Sequence, residues 1–389
     1  MGFIFDIKVT ANDNVQIKNT GYRVLLLADI NSSHTQKWVN SLAGKGIEIG
    51  IFSFNKLKSD WIKDTGNIRV LYTPDENDIP KFFSKAFYPF FLPDLKRIIK
   101  EFKPGILHAH YASSYGLIGA LSGFHPFVLS VWGSDVYDFP NISFLHRKVF
   151  EYNLKKADKI CSTSNTMKGE IMKYTNKDIS VIPFGIDLNI FKPFYAHHVF
   201  EDNSIVIGTV KQLEKEYGLE YLIDAFALLR KRAKGYPLKL LIVGRGSLDN
   251  ILREKVKDLG IEADTVFTGY IQPREVPFYQ NMFTISVYPS LNESFGVSVV
   301  EAMACEKPVI VSNIGGLPEV VEENVTGLIV PAANAEKLAA AMETLVRDEA
   351  LRNKLGKEGR QRVARLYNWE NNLADMINIY EELLNKKIN

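Results

Sequence analysis

The sequence predicts an α/β protein of two doubly wound parallel-sheet domains facing a central cleft. Three observations predict it. Short, continuous aliphatic and β-branched runs alternate with longer segments of helical period, the pattern of parallel strands covered on both faces by crossover helices. The runs are too numerous for one sheet of usual size. The alternation also breaks in the middle, at Ile182–Ser204 (IPFGIDLNIFKPFYAHHVFEDNS), which is rich in Pro, Gly, Asn and aromatics and has no steady period.

Taken in order, the first half offers strands at Tyr22–Asp29, Ile47–Ser53, Gly105–His110, Pro126–Val131 and Lys159–Ser164. The second half offers them at Ser204–Val210, Leu238–Gly244, Asp264–Tyr270, Phe283–Ser290, Lys307–Ser312 and Gly327–Pro331. The segments between are long enough for crossover helices. The last segment, Trp369–Lys387, has amphipathic helical period. The expected domains are therefore 1–185, with the C-terminal helix 370–389 packing back on it; a linker, 186–203; and 204–369.

The 389 residues are 46% hydrophobic and 24% charged, as in a globular protein. No apolar run approaches the roughly 18 residues of a membrane span, and the first residues show no signal pattern. Cys161 and Cys305 lie far apart in apolar surroundings, which suggests neither a disulfide framework nor a structural zinc site. A cytoplasmic setting is expected, and no nucleic-acid partner. The net charge of +2 hides an asymmetry: 24 Lys and Arg against 18 Asp and Glu in residues 1–199, but 23 against 27 in residues 200–389. A basic first half favours an anionic membrane surface or acceptor. Within it, Ile79–Pro104 is aromatic and basic. It reads either as a segment lying on the inner face of a membrane or as a helix turning its aromatics into the core.

The stretch PSLNESFGVSVVEAMACEKPVIVS, Pro289–Ser312, keeps two glutamates, Glu293 and Glu301, with seven mostly small or apolar residues between them. A strand ends before it, a turn carries Glu293, and a helix begins near Ser294, Phe295 and Gly296. Glu301 falls about two turns inside that helix. A helix start leaves N–H groups unpaired and carries the positive end of the dipole, so it suits an anion. Carboxylates on either side suit sugar hydroxyls. A nucleoside diphosphate sugar has that layout; so, read alone, does a capped helix with two surface glutamates. In the first half, Asn31–Ser33 can cap a helix that carries His34 and Lys37, a place for an acceptor. His108 and His110 alternate at a strand end, and His110, the later, is favoured for the cleft.

These motifs resemble the retaining GT-B glycosyltransferases of family four, the group 1 type. Pro289–Ser312 is similar to that family's Glu–seven–Glu signature, VIPFGIDLNIFKP to its linker, and LIVGRGSL to its G-x-G loop. GGLPEVVEENVTGLIVPAAN is similar to its Gly-Gly-x-x-Glu turn, and LYNWE to the entry of its last helix. The likeness runs from Tyr22 onward. It implies a GT-B fold and transfer of a sugar, with retention and without a metal, from a nucleoside diphosphate sugar to a glycan or lipid-linked acceptor, as in cell-surface polysaccharide synthesis. It implies that Glu301 holds the ribose hydroxyls and Glu293 faces the transferred sugar. Ser294, Phe295, Gly296 and Val297 would offer amides to the sugar and phosphate, with Gly244 in the G-x-G loop.

The sequence departs from that family in three places, one being the absent glycine-rich loop after the first strand, where the chain reads ADINSSHTQKWVNSL. The usual G-R-L-x-x-x-K-G loop reads GTVKQLEKEYG, with Gln212 at the Arg position and Tyr217 at the Lys position. The leaving diphosphate needs a cation, and Lys211 and Lys215 stand nearest. Where the family often has a His before Gly-x-Asp, this chain has Trp132, then Gly133, Ser134 and Asp135. Trp132 is expected either to stack on a sugar or to sit in the core, and Asp135 either to bind on the sugar side or to cap the next helix. No G-x-S-x-G, H-E-x-x-H or Walker loop is present. A nucleotide-sugar epimerase and a non-catalytic nucleotide-sugar-binding protein are the alternatives.

Overall fold

A computed structural model describes residues 21–62, 66–74, 85–196, 199–201 and 203–388. The strands are β1 (Arg23–Leu27), β2 (Glu48–Phe52), β3 (Ile68–Tyr72), β4 (Ile106–His110), β5 (Phe127–Ser130), β6 (Lys159–Ser162), β7 (Ile179–Val181), β8 (Ile205–Val210), β9 (Leu238–Val243), β10 (Thr265–Phe267), β11 (Ile285–Tyr288), β12 (Val309–Ser312) and β13 (Gly327–Val330). They build a seven-stranded sheet, ordered β3-β2-β1-β4-β5-β6-β7, and a six-stranded sheet, ordered β10-β9-β8-β11-β12-β13. Each expected strand is present. β3 and β7, the two edges of the first sheet, are additions.

The chain divides into two compact units, 1–108 and 109–389. In the first, β1 and β2 pair in parallel through Val24–Ile49 and Leu26–Ile51. The helix Ser33–Gly44 buries Thr35, Trp38, Val39, Leu42 and Ala43. The helix Leu92–Phe102 buries Leu95, Ile98 and Phe102 and leaves Lys96, Arg97, Lys100 and Glu101 in solvent. Its apolar face thus belongs to the core, and a side chain at Gly50 on β2 would strike Phe102 and Leu71. Residues 79–84 of the aromatic, basic segment lie outside the described residues; of the rest, Phe90 is exposed.

In the second unit the six-stranded sheet is covered by long helices. Leu219–Arg232 and Ala335–Arg347 pack together on one face with Leu222, Phe226, Leu229, Leu338, Met342 and Leu345 buried. The strand order reverses between β8 and β11, which pair in parallel. In open parallel sheets this reversal leaves a crevice at the carboxyl ends of the strands. The segments leaving those ends are 211–218 and 289–296. The final helix, Trp369–Ile388, starts against residues 183–186. Trp369 N–H donates to the Ile186 carbonyl (3.1 Å) and Asn372 Nδ2 to the Pro183 carbonyl (2.7 Å).

Candidate active site

Lys211 follows β8 directly, its N–H bonded to the Val243 carbonyl at 3.0 Å. Its side chain crosses to the other strand end: Nζ lies 2.5 Å from Glu293 Oε2, with the two side chains only 10% and 12% exposed. The ammonium also sits over the Tyr217 ring, 4.2 Å from its centre. The aromatic residue at the family's lysine position therefore supports a lysine from a different position.

The loop bearing Glu293 is pressed from both sides. From one, Leu291 and Asn292 N–H groups donate to the Glu216 carbonyl at 2.7 and 3.1 Å. Gly218, at φ +61°, lets the turn approach: a side chain there would lie 2.3 Å from the Pro289 oxygen. From the other, Gly316 N–H donates to the Glu293 carbonyl at 3.1 Å. Gly315, at φ +53°, has no room for a Cβ, which would stand 1.8 Å from that same oxygen. The Gly-Gly pair thus holds the backbone of Glu293.

The helix of Glu301 runs from Val297 to Ala304, preceded by Gly296 at φ +101°, and no side chain caps it. It begins a little later than Ser294, so Ser294 and Phe295 belong to the loop. Phe295 is buried and makes ring contacts with Phe184 and Tyr367 at 6.1 and 5.4 Å; its contribution to a ligand is confined to the main chain. Ser294 faces Gly133, where a Cβ would come 2.3 Å from Ser294 Oγ. Val297 and Glu301 are half-buried. Burial raises the pKa of the Tyr288 phenol, and the Glu301 carboxylate adds to that rise.

Gly244, at φ +139°, backs the start of the 211–218 segment, because a Cβ there would lie 1.9 Å from the Lys211 carbonyl. Leu213 N–H donates to the Arg245 carbonyl at 3.1 Å, and the Glu214 carboxylate accepts from Ser247 N–H at 2.9 Å. Gln212 and Lys215 are exposed, and Lys215 forms no ion pair among the described residues. Sequence reading passed over Arg245. Its guanidinium is exposed and stacks on Tyr270 at 4.6 Å. The one signal for it was an arginine between two glycines.

The remaining candidates of the second unit are buried. His110 and Trp132 are 1% and 8% exposed, their rings 4.3 Å apart, and Trp132 also contacts Tyr111 and Phe184. Trp132 takes the core position of the two expected for it. Asp135, 1% exposed, accepts from the N–H groups of Ala112 (2.7 Å), Gly133 (2.8 Å) and Trp132 (3.1 Å). Burial raises its pKa, and those three bonds oppose the rise. It ties the segment after β4 to the one after β5, so its effect on any ligand is one of positioning. His108, the last residue of the first unit, is buried as well, with its pKa lowered to about 3 by burial.

In the first unit His34 lies in the opening turn of Ser33–Gly44. Burial, then Lys37, lowers its pKa to about 4. The expected side-chain cap is not made. Asn31 instead binds the 56–58 segment through Lys56 O and Lys58 N. One latch was invisible to sequence reading. The Glu319 carboxylate accepts from Asn165 N and Nδ2 (2.9 and 2.8 Å) and from Thr166 N and Oγ1 (3.0 and 3.3 Å). Among the described residues no group of three His, Cys, Asp or Glu is placed to hold a metal ion, and no helix is long and apolar enough to cross a membrane.

Two parallel sheets of this order, with a carboxylate–lysine pair at the reversal of the second, fit the GT-B architecture of two parallel-sheet α/β domains. Residues 193–362 match the family of glycosyl transferases group 1, and residues 23–164 match the glycosyl transferase 4-like family. The two matches lie one in each half of the chain, a glycosyl transferase 4-like stretch followed by a group 1 stretch. It is 28% identical over 294 residues to an uncharacterized glycosyltransferase of Methanocaldococcus jannaschii, covering 74% of this chain and 78% of that protein. It is 33% identical over 240 residues to the capsular polysaccharide biosynthesis glycosyltransferase CapM of Staphylococcus aureus, covering 61% of this chain and 58% of that one. Among solved structures, Anabaena HepE in complex with UDP and glucose superposes with a TM-score of 0.74 at 16% identity, over 93% of this chain and all of that one.

Proposed function

We propose that this protein moves a sugar, with retention, from a nucleoside diphosphate sugar to a hydroxyl of a glycan or lipid-linked acceptor, in the assembly of a surface polysaccharide at the cytoplasmic side of a membrane. One observation carries the reading. Glu293 and Glu301 flank an uncapped, glycine-led helix start at the strand reversal, and a buried lysine neutralises the first of them. The donor diphosphate would lie on that helix start, Glu301 would accept the ribose hydroxyls, and Glu293 would face the sugar. Residues 204–369 would form the donor side and 1–185 the acceptor side. CapM and HepE support the reading through what their own descriptions state, capsular polysaccharide biosynthesis for one and bound UDP and glucose for the other.

In this reading the chain supplies charge and position and no covalent nucleophile. Negative charge gathers on the diphosphate as the glycosidic bond breaks. The helix start meets it, with Lys211, Lys215 and Arg245 as the cations in reach of the loops that frame it, and no metal ion. The acceptor proton passes to the leaving phosphate on the same face of the sugar. Asp135, through Gly133, supports the loop against Ser294. The test is a thermal-shift screen against UDP-, GDP- and ADP-sugars, repeated with Glu301→Ala. One sugar nucleotide is expected to raise the melting temperature, and the variant to lose that rise. Absence of any stabilised wild type refutes the reading. Donor converted to an epimer without acceptor replaces it with an epimerase, and binding without turnover across acceptors with a non-catalytic binder.

A further inference from the structure

The second unit carries an exposed apolar tip that the donor site does not use. Ile142, Phe144 and Leu145 are 60%, 74% and 69% exposed, at the entry to the helix Phe144–Lys156. Three large apolar side chains in four residues, all in solvent, exceed the scattered exposure usual on a surface. The helix has no unmet need for them: Ser143 caps it, and Phe150, Asn153 and Leu154 already form its buried side.

Its solvent side continues the tip with positive charge. Phe144, Lys148, Tyr152 and Lys156 recur in steps of four, and Lys155 follows Tyr152 by three, so they share one stripe. Arg147 lies beside it. Lys148 Nζ stands 5.4 Å from the Phe144 ring centre and Lys156 Nζ 5.7 Å from that of Tyr152. The acidic groups here are Glu151, which pairs with both Arg147 and Lys148, and Asp138. Four cations therefore face two carboxylates.

We propose that this stripe is a docking surface for an anionic lipid bilayer, with Ile142, Phe144 and Leu145 entering the acyl boundary and Lys148, Lys155 and Lys156 reaching the phosphates. The chemistry favours lipid over protein. Lysine is depleted in the apolar centre of protein interfaces, whereas apolar tips bordered by lysines that extend to the headgroups suit a bilayer surface. The surface also differs from the one expected in the aromatic, basic segment of the first unit, where the helix face is buried. The proposal is independent of the donor reading, since vesicle binding requires no sugar nucleotide.

The test is co-sedimentation of the full chain with vesicles of phosphatidylcholine containing about 30% phosphatidylglycerol, which present an anionic surface, and with phosphatidylcholine alone. The wild type is expected to bind the anionic vesicles and not the neutral ones. Binding should weaken about fivefold for each cation removed at low salt. The variant I142S/F144S/L145S should lose at least about tenfold, with an unchanged melting curve because all three side chains are exposed. Lys354→Glu with Lys357→Glu, exposed on another helix, should bind as wild type. Failure to bind anionic vesicles overturns the proposal, as does binding that the triple variant leaves intact. So does a lipid-free dimer, seen by light scattering, that the triple variant turns to monomer, since a second copy would then cover the tip.

Discussion

Substituting Gly315 by alanine separates the placement of Glu293 from the stability of the fold. The added Cβ would stand 1.8 Å from the Glu293 carbonyl oxygen. Contacts of this kind are not made below about 3 Å, so the two backbones must part by roughly 1.2 Å, and the φ of +53° is also unfavourable to alanine by about 1–2 kcal/mol. A shift of about 1 Å in a positioned group costs on the order of 100-fold in turnover. Gly235 is the control. It has φ +93° and nothing within 4 Å of its added Cβ, so Gly235→Ala carries backbone strain without displacement. Both variants should lose a few degrees of melting temperature, at about 2–4 °C per kcal/mol for a unit of this size. Release of nucleoside diphosphate from the donor, measured at saturating acceptor, should fall about 100-fold in Gly315→Ala and less than threefold in Gly235→Ala. A folded Gly315→Ala protein with near wild-type turnover would refute the claim that the glycine pair sets the position of Glu293, and equal losses in both variants would refute it too.

Arg245→Ala, which removes an exposed guanidinium stacked on Tyr270, should weaken sugar-nucleotide binding about tenfold by calorimetry and leave the melting curve of the free protein in place; unchanged affinity removes Arg245 from the donor site. Glu319→Gln retains one acceptor oxygen but places an amide among the four donors of Asn165 and Thr166, so urea unfolding should show a loss of about 1–3 kcal/mol. Stability should also fall with acid. The His108 pKa, lowered to about 3 by burial, lies below its unfolded value of 6.5, so the unfolded chain takes up the proton first. Its contribution is complete above pH 6.5 and lost as pH falls toward 3, by about 2 kcal/mol at pH 5. His34, lowered to about 4, acts in the same direction. His108→Gln should flatten the pH 5–6.5 part of the stability curve, and an unaltered slope in that variant counts against the burial argument.

The interior strands were legible because burial on both faces writes continuous apolar runs into the chain. β3 and β7 were not, for the same physical reason. β3 is an edge whose Arg69 and Val70 are exposed, and β7 is three residues long, with one buried, at the opposite edge. Edge strands need not carry the apolar signature of a central one. The glutamate pair was legible from its place between a strand and a helix. Its surroundings were not, since Asp135 bonds to three backbone groups up to 23 residues away and Glu319 reaches across more than 150. Such partners share no period with the residues they hold. The histidines at the end of β4 mislead for a related reason: two residues apart, His108 and His110 lie on the same face of the strand, and a sheet covered on both sides buries that face.

The replacement of the family's two cations becomes intelligible at Lys211. A diphosphate brought to a site with two carboxylates meets repulsion unless one of them is already neutralised. Lys211 neutralises Glu293 from a position just after β8, and Tyr217, at the place where the family has its lysine, supplies the ring beneath that ammonium. The two departures in GTVKQLEKEYG are therefore linked: an aromatic at 217 favours a cation at 211, and a lysine at 217 would repel it. Under the proposed function, Arg245 on the adjoining loop, its carbonyl bonded to Leu213, would take the task of an arginine at 212. In the proposed reading the positive charge is kept, but its source has moved to the strand end and the G-x-G loop. Tyr217→Lys is then expected to weaken donor binding by setting two ammonium groups against one carboxylate, although it restores the family's own residue. Tighter binding in that variant, by calorimetry with the stabilising sugar nucleotide, would sink this account of the exchange.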